Sequence, residues 1–230
     1  MKNILALLII AIVLIVPIAA ASEAGAAQEQ AARGVLQRLL VGRAEDFVLR
    51  TIAKQEDPDV YEFEARDGRV TVAGSSGVAI CRGAYDYLKK HTSAIVTWEG
   101  NHIDLPARLP DALRTRVVCP NRYRHYFNVC TFGYTSAFWD FARWRQEIDW
   151  MALHGINMPL AITGQEAVWQ ATLRKFKMND DEIRAFFCGP AFFAWQWMAN
   201  LEGWGGPLPQ TWIDSHTELA RKILQRRRGR

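Results

Sequence analysis

The chain has 230 residues, half of them apolar and 23% charged, which excludes a disordered chain and allows one ordinary domain, or a small domain joined to part of a larger one. The formal charge of +4 does not describe a basic surface: Lys2, Arg226, Arg227, Arg228 and Arg230 account for five of 28 basic residues, leaving 23 against 24 acidic ones. No nucleic-acid partner is therefore expected, and the terminal arginines read as a solvated helix end.

Residues 1–21 read as an export signal. Lys2 forms a short basic region, Ile4 to Val16 is unbroken apolar sequence, and Ala19-Ala20-Ala21 supplies small residues for cleavage. An uncleaved membrane anchor is the competing reading. Pro17 and the alanines favour cleavage, so no stable membrane insertion beyond the signal is expected, and the protein is expected to leave by the secretory route. The four cysteines, Cys81, Cys119, Cys130 and Cys188, form neither a CxxC pair nor a zinc-like spacing. Disulfides are permitted in an exported protein, and buried free thiols are the alternative.

Residues 22–44 form an N-terminal helical segment, in which Ala26 to Val41 places Val35, Leu36, Leu39 and Leu40 at helical spacing and Gly42 stops the helix. Residues 45–118 predict a small α+β domain. Phe47 to Ile52 suits a strand. Tyr61 to Ala65 and Val70 to Val72 alternate about Asp67-Gly68, the pattern of a hairpin whose turn needs positive φ. A helix follows Gly74-Ser75-Ser76-Gly77 and runs to about His91. Ile95 to Trp98 and His102 to Leu105 suggest another strand pair, and Pro106, Pro110 and Pro120 mark the exit.

The pattern changes over residues 119–230. Eight of the nine tryptophans lie between Trp139 and Trp212, and strands alternate with helices. Tyr126 to Thr131 predicts a strand and Trp139 to Leu153 a helix, with Phe141, Trp144, Ile148 and Met151 inward. Ile156 to Ile162 predicts a buried parallel strand and Glu166 to Phe176 a helix. Asn179 and Glu182 make a capping box for another helix. Pro190 opens a tryptophan-rich helix, and a last helix starts near Thr211. The fold class is therefore α/β: a small α+β domain followed by the first βα units of a (β/α)₈ barrel. A complete barrel needs ~250 residues by itself, so this one reads as truncated.

In such a barrel, ligand groups stand where strands run into the following loops. Asn128 and Cys130 share a face of the first strand by the two-residue period, and Gln165 and Glu166 follow the second. Asn128 and Gln165 can hydrogen-bond sugar hydroxyls or an acetamido group. The plainer readings are that Asn128 satisfies backbone groups, Cys130 fills core, and Glu166 complements its helix dipole. Trp195 is the tryptophan expected to be exposed, whereas Trp144 and Trp150 suit a core. Asp140, Glu147 and Asp149 read as surface acids paired with Arg143 and Arg145. No two carboxylates form a catalytic pair, so no catalytic residue is assigned. The five histidines lack metal-ligand spacing, and nucleophile-elbow, dinucleotide, P-loop and zinc-protease motifs are absent.

A long ordered set of motifs carries a resemblance. Asn128-Val129-Cys130-Thr131, Trp139-Asp140-Phe141-Ala142-Arg143-Trp144, Glu147 to Leu153, Gly155-Ile156-Asn157, Gly164 to Gln170, Phe186 to Phe192, Asn200-Leu201 and Gly206-Pro207-Leu208-Pro209 closely resemble the α-N-acetylglucosaminidases of glycoside hydrolase family eighty-nine. The resemblance is dense from Tyr123 to Leu224, and the preceding small domain fits the same layout. It implies an exo-acting hydrolase that removes terminal α-linked N-acetylglucosamine, as from heparan sulfate or mucin-type glycans, by a retaining two-glutamate mechanism without metal or other cofactor. By position Asn128, Cys130 and Trp195 correspond to residues lining the family's sugar pocket, with Gln165 and Glu166 as support for the same face. The family's catalytic glutamates lie on later strands than this chain contains. The expected partner is a carbohydrate ending in α-N-acetylglucosamine, and the chain alone is expected to be inactive. The alternatives are a non-catalytic amino-sugar-binding fragment and an unstable truncated product.

Overall fold

Two runs of alternating apolar residues about Asp67-Gly68 fold into the hairpin expected of them, with φ of 52° and 77° at those two residues. The computed structural model describes residues 23–54 and 58–228. Residues 1–21, expected to form an export signal, lie outside the described residues, as does the chain's last pair. Contact density divides the described residues into two units, one of residues 23–54, 58–122 and 152–155, the other of residues 123–151 and 156–228.

In the first unit, helix α1 spans residues 23–39 and buries Val35 and Leu36. The sheet is ordered β1-β3-β2-β6, from β1 (Phe47–Thr51), β2 (Val60–Arg66), β3 (Arg69–Gly74) and β6 (Ala112–Val118). Strand β1 runs parallel to β3, whereas β2 is antiparallel to both neighbours. Helix α2 (Gly77–His91) starts where Ser76 accepts the Ala79 N–H at 3.1 Å, a side-chain N-cap. It buries Ile80, Ala84, Tyr87 and Leu88 against Phe47, Phe63, Val70 and Val72. The expected second strand pair is reduced to β4 (Ile95–Val96) and β5 (Asn101–His102). Strand β6 is unanticipated, because its exposed arginines mask the pattern. Arg114 reaches Glu62 on β2 at 2.6 Å, and Arg116 binds the same carboxylate, which these cations hold below the ordinary carboxylate range.

The second unit begins with a short βαβ unit. Strand β7 (His125–Tyr126) pairs in parallel with β8 (Met158–Pro159), and α4 (Phe141–Leu153) connects them. Both strands are shorter than the sequence suggests, for local reasons. Phe127 adopts φ of 70°, after which Asn128 caps the turn α3 (Val129–Thr131) and a π-turn continues over Phe132–Ser136. Pro159 has no N–H to extend β8. Trp144, Ile148 and Met151 of α4 join Phe127, Phe132 and Ile223 in one core.

Glu147 is not a surface acid. Its side chain is 1% exposed, pairs with Arg143 at 2.9 Å and accepts the Tyr126 hydroxyl at 2.7 Å. Burial, then this carboxylate, raise the Tyr126 phenol above its ordinary value and keep it a donor. Arg226 is likewise not simply solvated, since it donates to Asp149 at 3.2 Å.

Helices α5 (Gln165–Lys175) and α6 (Asp180–Phe186) follow, the latter with the complete Asn179–Glu182 capping box. Pro190–Phe192 forms a single 3₁₀ turn leading into α7 (Phe193–Trp197). Helix α8 (Gln210–Arg228) spans two cores: Ile223 belongs to the first, and Ile213 packs with Ile183, Phe187 and Leu208 in the second. No disulfide joins Cys81, Cys119, Cys130 and Cys188, three of which are buried. Among the described residues no helix is long and apolar enough to cross a membrane.

Candidate functional site

The turn after β7 and helix α7 supply a shared face. Asn128 sits at the exposed start of the turn, and its Oδ1 accepts from the Thr131 N–H and hydroxyl, each at 2.9 Å. The two-residue spacing expected of a strand therefore does not operate here. Asn128 is a cap, and Cys130 lies within the helical turn that it caps. Capping occupies the side-chain oxygen and leaves the amide NH₂ directed by that geometry, so the structural and ligand-binding readings are compatible.

Cys130 is half-buried, with its Sγ 3.9 Å from Sδ of Met198, just beyond α7. Gly133 makes the closest approach. A Cβ there would lie 2.6 Å from Cζ3 of Trp195 and 2.7 Å from the Ala191 carbonyl oxygen. Only glycine admits the indole at this distance. Tyr134 then meets Trp195 edge to face at 5.1 Å. Trp195 is half-buried rather than the most exposed tryptophan, because Gly133, Tyr134 and Phe192 pack around it. The structure thus gathers Cys130 and Trp195 around one helical turn, with Asn128 at its start.

Gln165 and Glu166 stand elsewhere on this segment. Behind Gly133 lies a cavity of about 40 Å³, lined by Phe132, Ser136, Glu166, Trp197, Trp212 and His216 among others. Glu166 is 2% exposed, and burial pushes its carboxyl up to about 7, opposed by its own backbone N–H and the Trp212 indole. It is a buried acid of the cavity wall, not an exposed first-turn charge. His216 stacks on Trp212 at 3.8 Å, and burial holds its imidazole below the ordinary value despite the carbonyls of Trp212 and Ala137. Gln165 is half-buried and its Oε1 finds no hydrogen-bond partner among the described residues. Among the described residues, Glu166 is the only acid lining this cavity.

Residues 124–229 match the α-N-acetylglucosaminidase (NAGLU) TIM-barrel domain, and residues 30–111 match the α-N-acetylglucosaminidase (NAGLU) N-terminal domain. The chain belongs to the α-N-acetylglucosaminidase family. It is 41% identical over 220 residues to human α-N-acetylglucosaminidase, covering 91% of this chain and 30% of that protein. A family 89 glycoside hydrolase from Clostridium perfringens superposes with a TM-score of 0.86 at 32% identity, covering 91% of this chain and 24% of that one. A variant of the same enzyme with two glutamates changed to glutamine, solved with its substrate GlcNAc-α-1,4-galactose, superposes at 0.85 with 33% identity. The chain therefore spans less than a third of these relatives. The α/β class, with the family's N-terminal domain followed by the start of its barrel, agrees with the expectation from sequence.

Around this candidate face, sequence reasoning missed Gly133, Met198, Trp212 and His216. The Trp212–His216 pair was available as an i, i+4 spacing. Gly133 was hidden, since its need for a missing Cβ arises only when α7 folds back onto the turn.

Proposed function

We propose that this chain carries part of the sugar-binding face of an exo-acting α-N-acetylglucosaminidase, with Asn128, Cys130 and Trp195 addressing a terminal α-linked N-acetylglucosamine. The observation that carries the reading is the close approach of Gly133 to Trp195, which sets the indole beside the turn capped by Asn128. A free amide NH₂, a thiol and an aromatic wall suit the hydroxyls, acetamido group and C–H face of an amino sugar. Gln165 and Glu166 support this region from behind, through the strand-to-helix junction at α5.

Retaining hydrolysis of a glycosidic bond requires two carboxyl groups about 5 Å apart, one as acid/base and one as nucleophile. The cavity offers one, and it is buried. The chain on its own therefore binds the sugar without cleaving it, and the pair of glutamates belongs to later strands of the family barrel. No metal or other cofactor enters this chemistry. Residues 1–21 direct the protein into the secretory route, where α-N-acetylglucosamine-terminated glycans are met.

The test is calorimetric titration of the purified chain with methyl α-N-acetylglucosaminide, beside an assay with an aryl α-N-acetylglucosaminide. Millimolar or tighter binding without hydrolysis is expected. An absence of heat, or robust hydrolysis, overturns the reading.

A further inference from the structure

Three elements meet at the cavity behind Gly133: the π-turn Phe132–Ser136, the start of α5 and the first half of α8. Gly164 lets them meet. With φ of 81° it turns the chain into α5, and a Cβ there would lie 2.7 Å from Ala220 Cβ and 2.9 Å from the His216 carbonyl oxygen. That contact brings Glu166, two residues on, into the same wall as Trp212 and His216.

The wall is unusually polar for a place so well shielded. Among the described residues, Ser136 Oγ, Trp212 Nε1 and His216 Nε2 are buried without a hydrogen-bond partner. Ser136 is 4% exposed and Glu166 2%. His216 spends its other nitrogen, Nδ1, on the Trp212 carbonyl at 3.1 Å. The Trp212 indole acts on the Glu166 carboxyl without a direct hydrogen bond, as two polar groups do across the width of one water. Burying such groups unpaired is costly, and native structures rarely leave them so. A water molecule needs about 10–15 Å³ of such space, so a cavity of about 40 Å³ has room for two or three.

We propose that this cavity is a binding site for two or three water molecules, which bridge Ser136, Glu166, Trp212 and His216 and so join the π-turn to α5 and α8. The chemistry of the wall suits water. An indole N–H donates, a serine hydroxyl does both, and the carboxyl and imidazole take either role with their protons. An apolar guest would leave all four groups unmet, and the indole N–H opposes a cation. The site is separate from the sugar reading, because Asn128, Cys130 and Trp195 do not line it.

Oxygen-17 relaxation dispersion on the full chain counts its long-lived internal waters. Ser136→Val puts a methyl group into the cavity and is expected to remove at least one of them. The parent chain is expected to take up no xenon here under pressure, since xenon enters dry apolar cavities. Ser136→Ala supplies a test by sign. With water present, the substitution strips an anchor from the cluster and raises the unfolding equilibrium constant in urea about tenfold. In a dry cavity the serine hydroxyl is an orphan, and its removal stabilises the fold. An unchanged water count in Ser136→Val, xenon bound against Trp212, or an unfolding constant that fails to rise in Ser136→Ala overturns the site. The xenon measurement needs only the parent chain, so a variant that does not fold leaves the proposal open to refutation.

Discussion

The hydroxyl of Tyr126 donates to Glu147 at 2.7 Å, while Arg143 holds the other carboxylate oxygen at 2.9 Å. The pair ties the end of β7 to the middle of α4. It therefore fixes the strand from which the Asn128 turn departs. Removing the carboxylate takes the acceptor from the Tyr126 hydroxyl and one partner from Arg143, whose side chain is 29% exposed, which costs about 2–3 kcal/mol. Glu147→Ala is expected to destabilise the barrel segment by that amount. Tyr126→Phe leaves Arg143 in place and costs only about 1 kcal/mol. Urea titration followed by tryptophan fluorescence separates the two; equal losses would mean that the hydroxyl, rather than the ion pair, carries the tie.

Gly133→Ala places a methyl group where Trp195 Cζ3 and the Ala191 carbonyl already stand, at 2.6 and 2.7 Å. The indole must move. Overpacking of this kind costs about 1–3 kcal/mol, and the displaced ring is expected to weaken binding of methyl α-N-acetylglucosaminide about tenfold. Near-ultraviolet circular dichroism reports the ring and calorimetry the affinity. A changed spectrum with unchanged affinity would remove Trp195 from the sugar site.

Local chemistry was legible where a few neighbouring residues decide the outcome. The Asp67-Gly68 hairpin, the Ser76 start of α2 and the Asn179–Glu182 capping box all follow from short-range sequence. Elements governed by distant partners were not. Strand β6 is polar and arginine-rich because one edge faces solvent while its arginines reach Glu62 across the sheet. Glu147 carries the sequence pattern of a surface acid, and only the arrival of Tyr126 makes it a buried one. The strand expected through Asn128 ends early because Phe127 takes a left-handed conformation, which a bulky residue rarely signals. For the candidate site, residue types were legible at Asn128, Cys130 and Trp195, but their packing through Gly133 and Met198 required the fold.

Asn128 offers a way to separate capping from binding. Its oxygen holds Thr131, whereas its NH₂ is the group proposed to meet the sugar. Asn128→Asp keeps an acceptor at the cap and removes both amide donors. Thermal stability is expected to stay within about 0.5 kcal/mol of the parent, while affinity for methyl α-N-acetylglucosaminide falls about tenfold. Asn128→Ala should lose both, including about 1 kcal/mol of stability from the cap. If the aspartate variant binds as the parent does, Asn128 is a cap only.

Glu166 sets a pH dependence of opposite sense to the usual acid. Its carboxyl is raised from 4.5 to about 7 by burial, so the folded chain binds this proton more tightly than the unfolded chain. The stability it contributes is fully present below about 4.5, declines as pH rises, and is lost above about 7. His216 acts the other way: burial depresses its imidazole below 6.5, so its burial is tolerated above that value and penalised as pH falls. Replacing Glu166 with Gln keeps the shape of the protonated acid and removes the charge. Glu166→Gln is therefore expected to match the parent at pH 4 and exceed it at pH 8 by about 3 kcal/mol. Urea midpoints at pH 4, 6 and 8 measure the difference, while His216→Gln, which removes the low-pH penalty instead, should gain mainly at pH 4. A constant gap between Glu166→Gln and the parent across that range would show that the carboxyl stays charged in the wall of the cavity.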